Sequence, residues 1–176
     1  LVMIGPLAIG ERLRGTSLDA TRRLCREHLA LTHPDASLAE VCDAYVELID
    51  GLLFRESDDA VQDLLLKATR ALPRRALLKL VEGNHADREV VGRKLSPACY
   101  ISESWPAVLY FACKHQQDPL RAMRANAEVG GDNVHRGAVL GVLLGLIHGA
   151  PVTDLFEQLT EQHSIRPAIE RLVVNS

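Results

Sequence analysis

The sequence predicts an all-helical protein, and three observations support this prediction. Apolar residues recur mainly at spacings of three and four, whereas the strict alternation typical of half-buried strands is hard to find. Helix-capping residues, prolines and glycines bound these apolar segments. Apolar residues make up 47% of the 176 residues and the net charge is only -3, which favours a folded core over a disordered chain. We therefore predict one all-α domain over residues 1–176.

The first two predicted helices have caps and breakers at their ends. Thr16 or Ser17 can cap a helix that starts at Leu18, and Pro34 ends it because proline disfavours a helical residue before it. Ser37-Leu38-Ala39-Glu40 has the pattern of a capping box and opens the clearest amphipathic helix. The apolar stripe of that helix comprises Leu38, Val41, Cys42, Tyr45, Ile49, Leu52 and Leu53.

The next segment is predicted to alternate short helices with loop. A helix from about Asp58 to Leu72 stops at Pro73, and a short one from Ala76 to Val81 ends at Gly83. The stretch 83–97 is polar and weakly patterned, so we expect mostly loop.

The second half contains further helices, several opened by a proline device or a glycine break. The predicted segments run from Ser104-Trp105-Pro106 through Lys114, from Asp118-Pro119 to about Glu128, from Asn133 to about Ile147, from Asp154 to Gln162, and to a short helix ending near Leu172.

Composition also excludes some partners. With 20 basic against 23 acidic side chains, the chain has no global positive field, so nucleic acid is not an expected partner. The longest apolar stretch, 138–147, is shorter than the roughly 20 residues that cross a bilayer, so we expect no membrane partner. Cys25, Cys42, Cys99 and Cys113 contain no C-x-x-C pair and indicate buried thiols in a reducing, cytoplasmic compartment.

Glycines recur at every fourth position of the helix that starts at Asn133, at Gly137, Gly141, Gly145 and Gly149. Each interior glycine costs about 0.5–1 kcal/mol relative to alanine. Close approach of a neighbouring helix is the predicted compensation.

The segment Gly130-Gly131-Asp132-Asn133 at the amino end of that helix admits two interpretations. Two glycines permit a tight turn, and Asp132 then serves as an ordinary helix cap. Alternatively, free amides and two oxygen-bearing side chains form a site for a hard cation or a ribose hydroxyl.

A resemblance supports the second interpretation. The run 126–132, NAEVGGD, followed by a glycine-spaced helix, resembles the carboxy-terminal signature of the ADP-ribosylglycohydrolase family, commonly written GGDTDT. Upstream, Tyr100 to Tyr110, Met3 to Leu7 and Leu31-Thr32-His33 resemble other landmarks of that family. The resemblance spans about residues 3–160, and its most specific part is the GGD segment.

The resemblance implies a compact orthogonal helical bundle that hydrolyses the glycosidic bond between ADP-ribose and a protein side chain or small molecule. ADP-ribose or an ADP-ribosylated substrate is thus the implied partner. Family members generally hold one or two Mg2+ ions through an amino-terminal acidic cluster and the Asp, Asp and Thr of the signature. Asp132 matches the first signature aspartate and is the implied metal ligand.

Two departures from the family pattern shape the site prediction. Val134 replaces the second signature aspartate, which argues against Mg2+, and His135 replaces the threonine. The family's acidic cluster precedes the segment that resembles Met3 to Leu7, so we expect the amino-terminal part to be missing. We assign no catalytic residue.

The predicted substrate-binding residues surround the signature, with hydrogen bonding and a fixed positive charge in place of metal-centred chemistry. Arg136 is predicted to pair with a pyrophosphate, and Asn133 and His135 are predicted to form hydrogen bonds with the substrate. The full predicted set is Asn126, Gly130, Gly131, Asn133, His135 and Arg136.

Two functions follow: an ADP-ribosylglycohydrolase-like hydrolase, or a non-catalytic ADP-ribose-binding or structural, crystallin-like protein of the same fold.

Trp105 and Tyr110 either stack on adenine or pack in the core. Because the chain has few aromatic residues, core packing is the favoured interpretation.

Overall fold

The computed structural model describes residues 1–149 and 156–174, and within these ranges its secondary structure is helical, with no strand. The predicted all-α class is confirmed. The α-helices are α1 (Ile4–Leu13), α2 (Leu18–Ala30), α3 (Ala36–Leu53), α4 (Val61–Lys67), α5 (Arg74–Glu82), α6 (Asp87–Glu89), α7 (Ile101–Lys114), α8 (Pro119–Val129), α9 (Asn133–His148) and α10 (Gln162–Val174). A 3-10 turn (Asp58–Ala60) precedes α4, and a π-type turn (Val90–Lys94) follows α6.

Local capping signals predicted several helix starts well. The Ser17 hydroxyl accepts a hydrogen bond from the Ala20 amide at 3.3 Å and opens α2. The Asp118 carboxylate accepts one from the Arg121 amide at 2.9 Å and opens α8. Each side chain satisfies an amide that has no partner inside its helix.

The predicted capping box of α3 is wrong. The Asp35 carboxylate accepts the Leu38 amide at 2.8 Å, so the helix begins at Ala36 and Ser37 lies inside it. Asp35 has an extended backbone (φ -122°, ψ 133°), as a helix cap requires.

Other boundaries also differ from the predictions. The helix predicted over 58–72 ends at Lys67, because the side chains of Thr69 and Arg70 donate hydrogen bonds to the carbonyls of Leu66 and Lys67. These bonds satisfy carbonyls at the carboxyl end of α4 and favour termination there.

In three further places the chain is more helical than predicted. The stretch 83–97 contains α6 and the π-type turn, and α7 begins one turn early, at Ile101. The carboxy-terminal helix is longer than predicted, running over α10. The start of the helix predicted from Asp154 lies outside the described residues.

The site is positioned by a deeply buried pair of helices. α7 is buried without interruption from Trp105 to Ala112, and α9 packs against α7, α8 and α3. At the far end of α9 the Arg55 guanidinium donates to the carbonyls of Leu146 and Ile147 at 2.9 and 2.8 Å. This cation satisfies terminal carbonyls and complements the helix dipole, which fixes α9 at its carboxyl end.

The glycine row of α9 serves close packing at one position only. A Cβ built on Gly137 would lie 3.0 Å from Asn126 Nδ2, on α8. At Gly141 and Gly145 a Cβ would meet nothing within 4 Å. The close-packing explanation is therefore confirmed for Gly137 and wrong for the next two glycines.

Within the described ranges, no helix is both long enough and apolar enough to cross a membrane.

Candidate active site cleft

Four separate stretches of the chain line one cleft of about 740 Å³, which we call the signature cleft. They are the start of α1, the end of α2 with its connection to α3, the start of α7 and the start of α9. Its polar lining residues are His28, Thr32, His33, Asp35, Cys99, Tyr100, Ser104, Asp132, His135 and Arg136. The four stretches contain or adjoin the segments in which the sequence resembles the ADP-ribosylglycohydrolase family.

Asp132 occupies the cap position of α9 without capping it. Its carboxylate accepts no amide hydrogen bond from the helix and instead accepts one from His135 Nδ1 at 2.5 Å. The ordinary-cap interpretation of Asp132 is therefore wrong. Because Nδ1 is engaged, Nε2 is the ring nitrogen of His135 that remains for a ligand, and the side chain is 72% exposed.

Arg136 lies under the loop Gly130-Gly131-Asp132, which we call the signature loop, and is only 2% exposed. Its guanidinium donates to Asn126 Oδ1 at 2.6 Å and to the Gly130 carbonyl at 2.9 Å, with longer bonds to the carbonyls of Pro97 and Asn126. All four acceptors are neutral carbonyl oxygens. Burial lowers the pKa of Arg136, and nearby Asp132 acts in the opposite direction.

These contacts assign Arg136 mainly to holding the loop. Four of the five N–H donors of a guanidinium are used inside the protein, which leaves one for a ligand. Its charge still faces the cleft without a bonded carboxylate, so it contributes positive potential there. The predicted contact between Arg136 and a pyrophosphate stays a prediction.

The two signature glycines are required by backbone geometry. Gly130 and Gly131 have φ of +77° and +63°, and a Cβ on Gly131 would lie 2.3 Å from the Pro97 carbonyl oxygen. That carbonyl accepts the Asp132 amide at 2.9 Å. The close approach joins the segment before α7 to the segment before α9, and so it shapes one corner of the cleft.

The remaining predicted residues support the loop from behind. Asn126 is buried, and its Nδ2 donates to the Asn133 carbonyl at 2.9 Å. Asn133 Nδ2 in turn donates to the Gly131 carbonyl at 3.2 Å. Of the seven predicted site residues, the structure thus brings Asp132, His135 and Arg136 to the cleft lining.

The described part of the chain offers few side chains that could ligate Mg2+ at this site. No group of three or more His, Cys, Asp and Glu side chains is arranged there to hold a metal. Val134 does not line the cleft and is 74% exposed, and Asp132 is already bonded to His135. These residues by themselves do not fit a magnesium ion, and the magnesium prediction stays untested.

Sequence reasoning missed seven of the ten polar lining residues: His28, Thr32, His33, Asp35, Cys99, Tyr100 and Ser104. His28, Cys99 and Tyr100 all face the cleft, and Tyr100 is 70% exposed. His28 and Cys99 sit beside the family-like segments and Tyr100 lies within one, so the same resemblance points to them.

The aromatic residues weighed from the sequence serve the core. Trp105 is buried, and its ring nitrogen donates to the Ala68 carbonyl at 2.9 Å. Tyr110 is buried, and its hydroxyl donates to Asp87 at 2.9 Å. Tyr100 is the aromatic side chain of the cleft that a ligand can reach.

The all-α fold, with a glycine loop beside a cleft at the start of α9, is the arrangement that the family resemblance predicts. A family model described as ADP-ribosylglycohydrolase matches residues 1–175, so the chain belongs to the ADP-ribosylglycohydrolase family. No curated protein and no solved structure matches the chain.

Proposed function

We propose that the signature cleft binds the ADP-ribose unit of an ADP-ribosylated substrate, and that the protein hydrolyses the glycosidic bond that attaches this unit. The observation that carries the proposal is the Asp132 carboxylate. It does not accept an amide of α9 but pairs with the side chain of His135 in the first turn of that helix, inside a cleft bordered by all four family-like segments.

The physical character of the cleft fits such a ligand. A volume of about 740 Å³ lies within the range of small-molecule sites. Arg136 contributes positive potential for a pyrophosphate, and the amino end of α9 is a second source of positive potential. Apolar side chains such as Leu29, Val108 and Val139 form walls for the less polar parts of the ligand.

Tyr100 offers an exposed aromatic face at the start of α7. Stacking of a base on an aromatic ring is worth about 1–3 kcal/mol in nucleic-acid complexes. We therefore expect Tyr100→Ala to weaken ADP-ribose binding without altering the core.

Hydrolysis requires groups that accept a proton from water and donate one to the leaving group. Asp132 and His135 are the bonded titratable pair in the cleft, with His135 Nε2 directed outward from that pair. Substitution of Asp132 or His135 therefore tests whether this pair takes part in hydrolysis.

A second candidate function is binding without hydrolysis. Val134 favours it, because an exposed apolar side chain occupies the signature position at which the family carries a metal-binding aspartate. The same cleft would then recognise ADP-ribose groups without removing them.

Thermal unfolding of the full chain tests the binding proposal. A ligand of the native state at 100 times its Kd raises stability by about 2.7 kcal/mol. We expect ADP-ribose to raise Tm, and a rise that requires Mg2+ as well would support the metal prediction. Asp132→Ala should abolish the rise, whereas Asp118→Ala, which removes the cap of α8 outside the cleft, should preserve it.

The absence of a Tm rise with ADP-ribose, with and without Mg2+, would contradict the proposal. A second assay separates the two functions: ADP-ribosylated protein is incubated with the chain, and released ADP-ribose is measured by mass spectrometry. Release that disappears with Asp132→Ala supports hydrolysis. A Tm rise without release supports the binding function.

A further inference from the structure

A second cleft of about 760 Å³ lies between α6, α7 and α8, and none of the predicted site residues lines it. We call it the basic cleft. Its charged and titratable lining includes Asp87, Arg88, Lys114, His115, Arg121 and Glu128. Three permanent cations face two carboxylates there, so a surplus of one positive charge remains even when the histidines are neutral.

The floor of the basic cleft is a closed hydrogen-bonded cluster around Asp87, whose side chain is 11% exposed. Lys114 Nζ and His115 Nε2 each approach this carboxylate to 3.0 Å, and the Tyr110 hydroxyl donates to it at 2.9 Å. Burial acts to raise the pKa of Asp87, but the bonds from Lys114 and Tyr110 and the neighbouring His115 outweigh it, and the pKa is lowered. The Asp87 charge is therefore compensated within the floor.

The rim carries cations whose donors remain available. The Arg121 guanidinium makes no hydrogen bond with a described residue, and its nearest carboxylate contacts are 3.7 Å to Glu128 and 4.0 Å to Asp87. Arg88 donates one bond, to the Glu128 carbonyl at 3.0 Å. Two exposed guanidiniums thus stand over a neutralised floor.

We propose that the basic cleft binds a phosphate group of a small molecule, with Arg121 and Arg88 as its principal ligands. A guanidinium fork matches the geometry of phosphate oxygens, and two cations attract a phosphate dianion more strongly than a monoanionic carboxylate. The cleft has room for an organic group beside the phosphate, so the proposed ligand is an organic phosphate. This site is separate from the signature cleft and does not depend on hydrolysis there.

Titration of the full chain with inorganic pyrophosphate, followed by NMR of the histidine side chains at constant ionic strength, tests the proposal. His85 and His115 line the basic cleft, whereas His28, His33 and His135 line the signature cleft. We expect saturable shifts of His85 and His115, so the two clefts are distinguished in one experiment.

Variants of α8 supply the matched control. Arg121→Gln should weaken binding about tenfold, the factor expected when one charge-assisted hydrogen bond is lost. Arg124→Gln removes the same charge from an exposed position of the same helix that does not line the cleft, and it should leave affinity unchanged. Arg88→Gln provides a second variant on a different element.

Unchanged His85 and His115 signals throughout a titration to millimolar pyrophosphate would overturn the proposal. Equal weakening by Arg121→Gln and Arg124→Gln would also overturn it, because net charge alone would then account for the binding.

Discussion

Replacement of Arg136 by methionine should destabilise the fold by removing the clamp under the signature loop. The side chain is buried, and its two shortest hydrogen bonds join it to Asn126 Oδ1 at 2.6 Å and to the Gly130 carbonyl at 2.9 Å. Methionine retains much of the apolar length of arginine but donates no hydrogen bond. The change therefore isolates the contribution of the guanidinium.

The magnitude follows from those two bonds. Hydrogen bonds to a charged group contribute about 1.5–3 kcal/mol each, so their joint loss costs about 3–6 kcal/mol. Part of this is offset because methionine carries no charge to desolvate. We expect the free energy of unfolding to fall by about 3 kcal/mol. The longer contacts of Arg136 to the Asn126 and Pro97 carbonyls add little.

Urea unfolding at constant pH measures the effect, with unchanged m-values as the condition for comparison. Arg124→Met, at an exposed position of α8, serves as the control and should change stability by no more than about 0.5 kcal/mol. A loss below about 1 kcal/mol for Arg136→Met would refute the claim that these hydrogen bonds hold the signature loop. The predicted role of Arg136 as a pyrophosphate ligand would then be the better interpretation.

Three further predictions follow from the same contacts. Asp132→Ala should cost less than about 1 kcal/mol in urea unfolding because its partner is exposed, whereas Asp118→Ala, which loses a true cap, should cost about 1 kcal/mol; the reverse order would contradict the site geometry. Gly131→Ala should cost about 2–4 kcal/mol by the same measurement, since a positive φ and a clash with a backbone carbonyl combine; a neutral effect would refute the close approach. The pKa of Asp87 is lowered in the fold, so its ionised form stabilises the protein above the ordinary value of 3.8, and this stability is lost as the pH falls through the folded pKa. The free energy of unfolding, measured at several pH values, should therefore fall less steeply on acidification for Asp87→Asn than for the unchanged chain. An equal pH dependence of the two would contradict this.

The helices that local signals predicted are those in which capping and core packing agree. Asp118 and Pro119 open α8 as expected, and the glycines at 130 and 131 break the chain before α9. The first helix was not predicted because Gly5 and Gly10 lower its helix propensity. Tertiary contacts explain the two glycines: a Cβ on Gly5 would lie 2.8 Å from the Tyr45 hydroxyl, and one on Gly10 would lie 2.8 Å from Leu172.

The candidate site shows the same limit at the level of side chains. The resemblance directed attention to Asp132, His135 and Arg136, which line the signature cleft. Their roles in ligand binding stay predictions. It did not show that Arg136 is held by carbonyls, because one of them belongs to Pro97, 39 positions earlier. Contacts of that sequence separation depend on the packing of α7 against α9, which no local pattern encodes.

Chemical labelling of Cys99 tests the binding claim most directly. Cys25 and Cys42 are buried as predicted, but the prediction of a buried thiol is wrong for Cys99, which is exposed and lines the signature cleft. Burial raises the pKa of both Cys25 and Cys113 to about 12, which keeps those thiols protonated. We therefore expect one of the four cysteines to react fast with a thiol reagent in the folded chain.

Saturating ADP-ribose should slow that fast reaction at least several-fold, and Asp132→Ala should remove the protection while the basal rate is retained. ADP-ribose that leaves the labelling rate of Cys99 unchanged would contradict the assignment of this cleft as the ADP-ribose site.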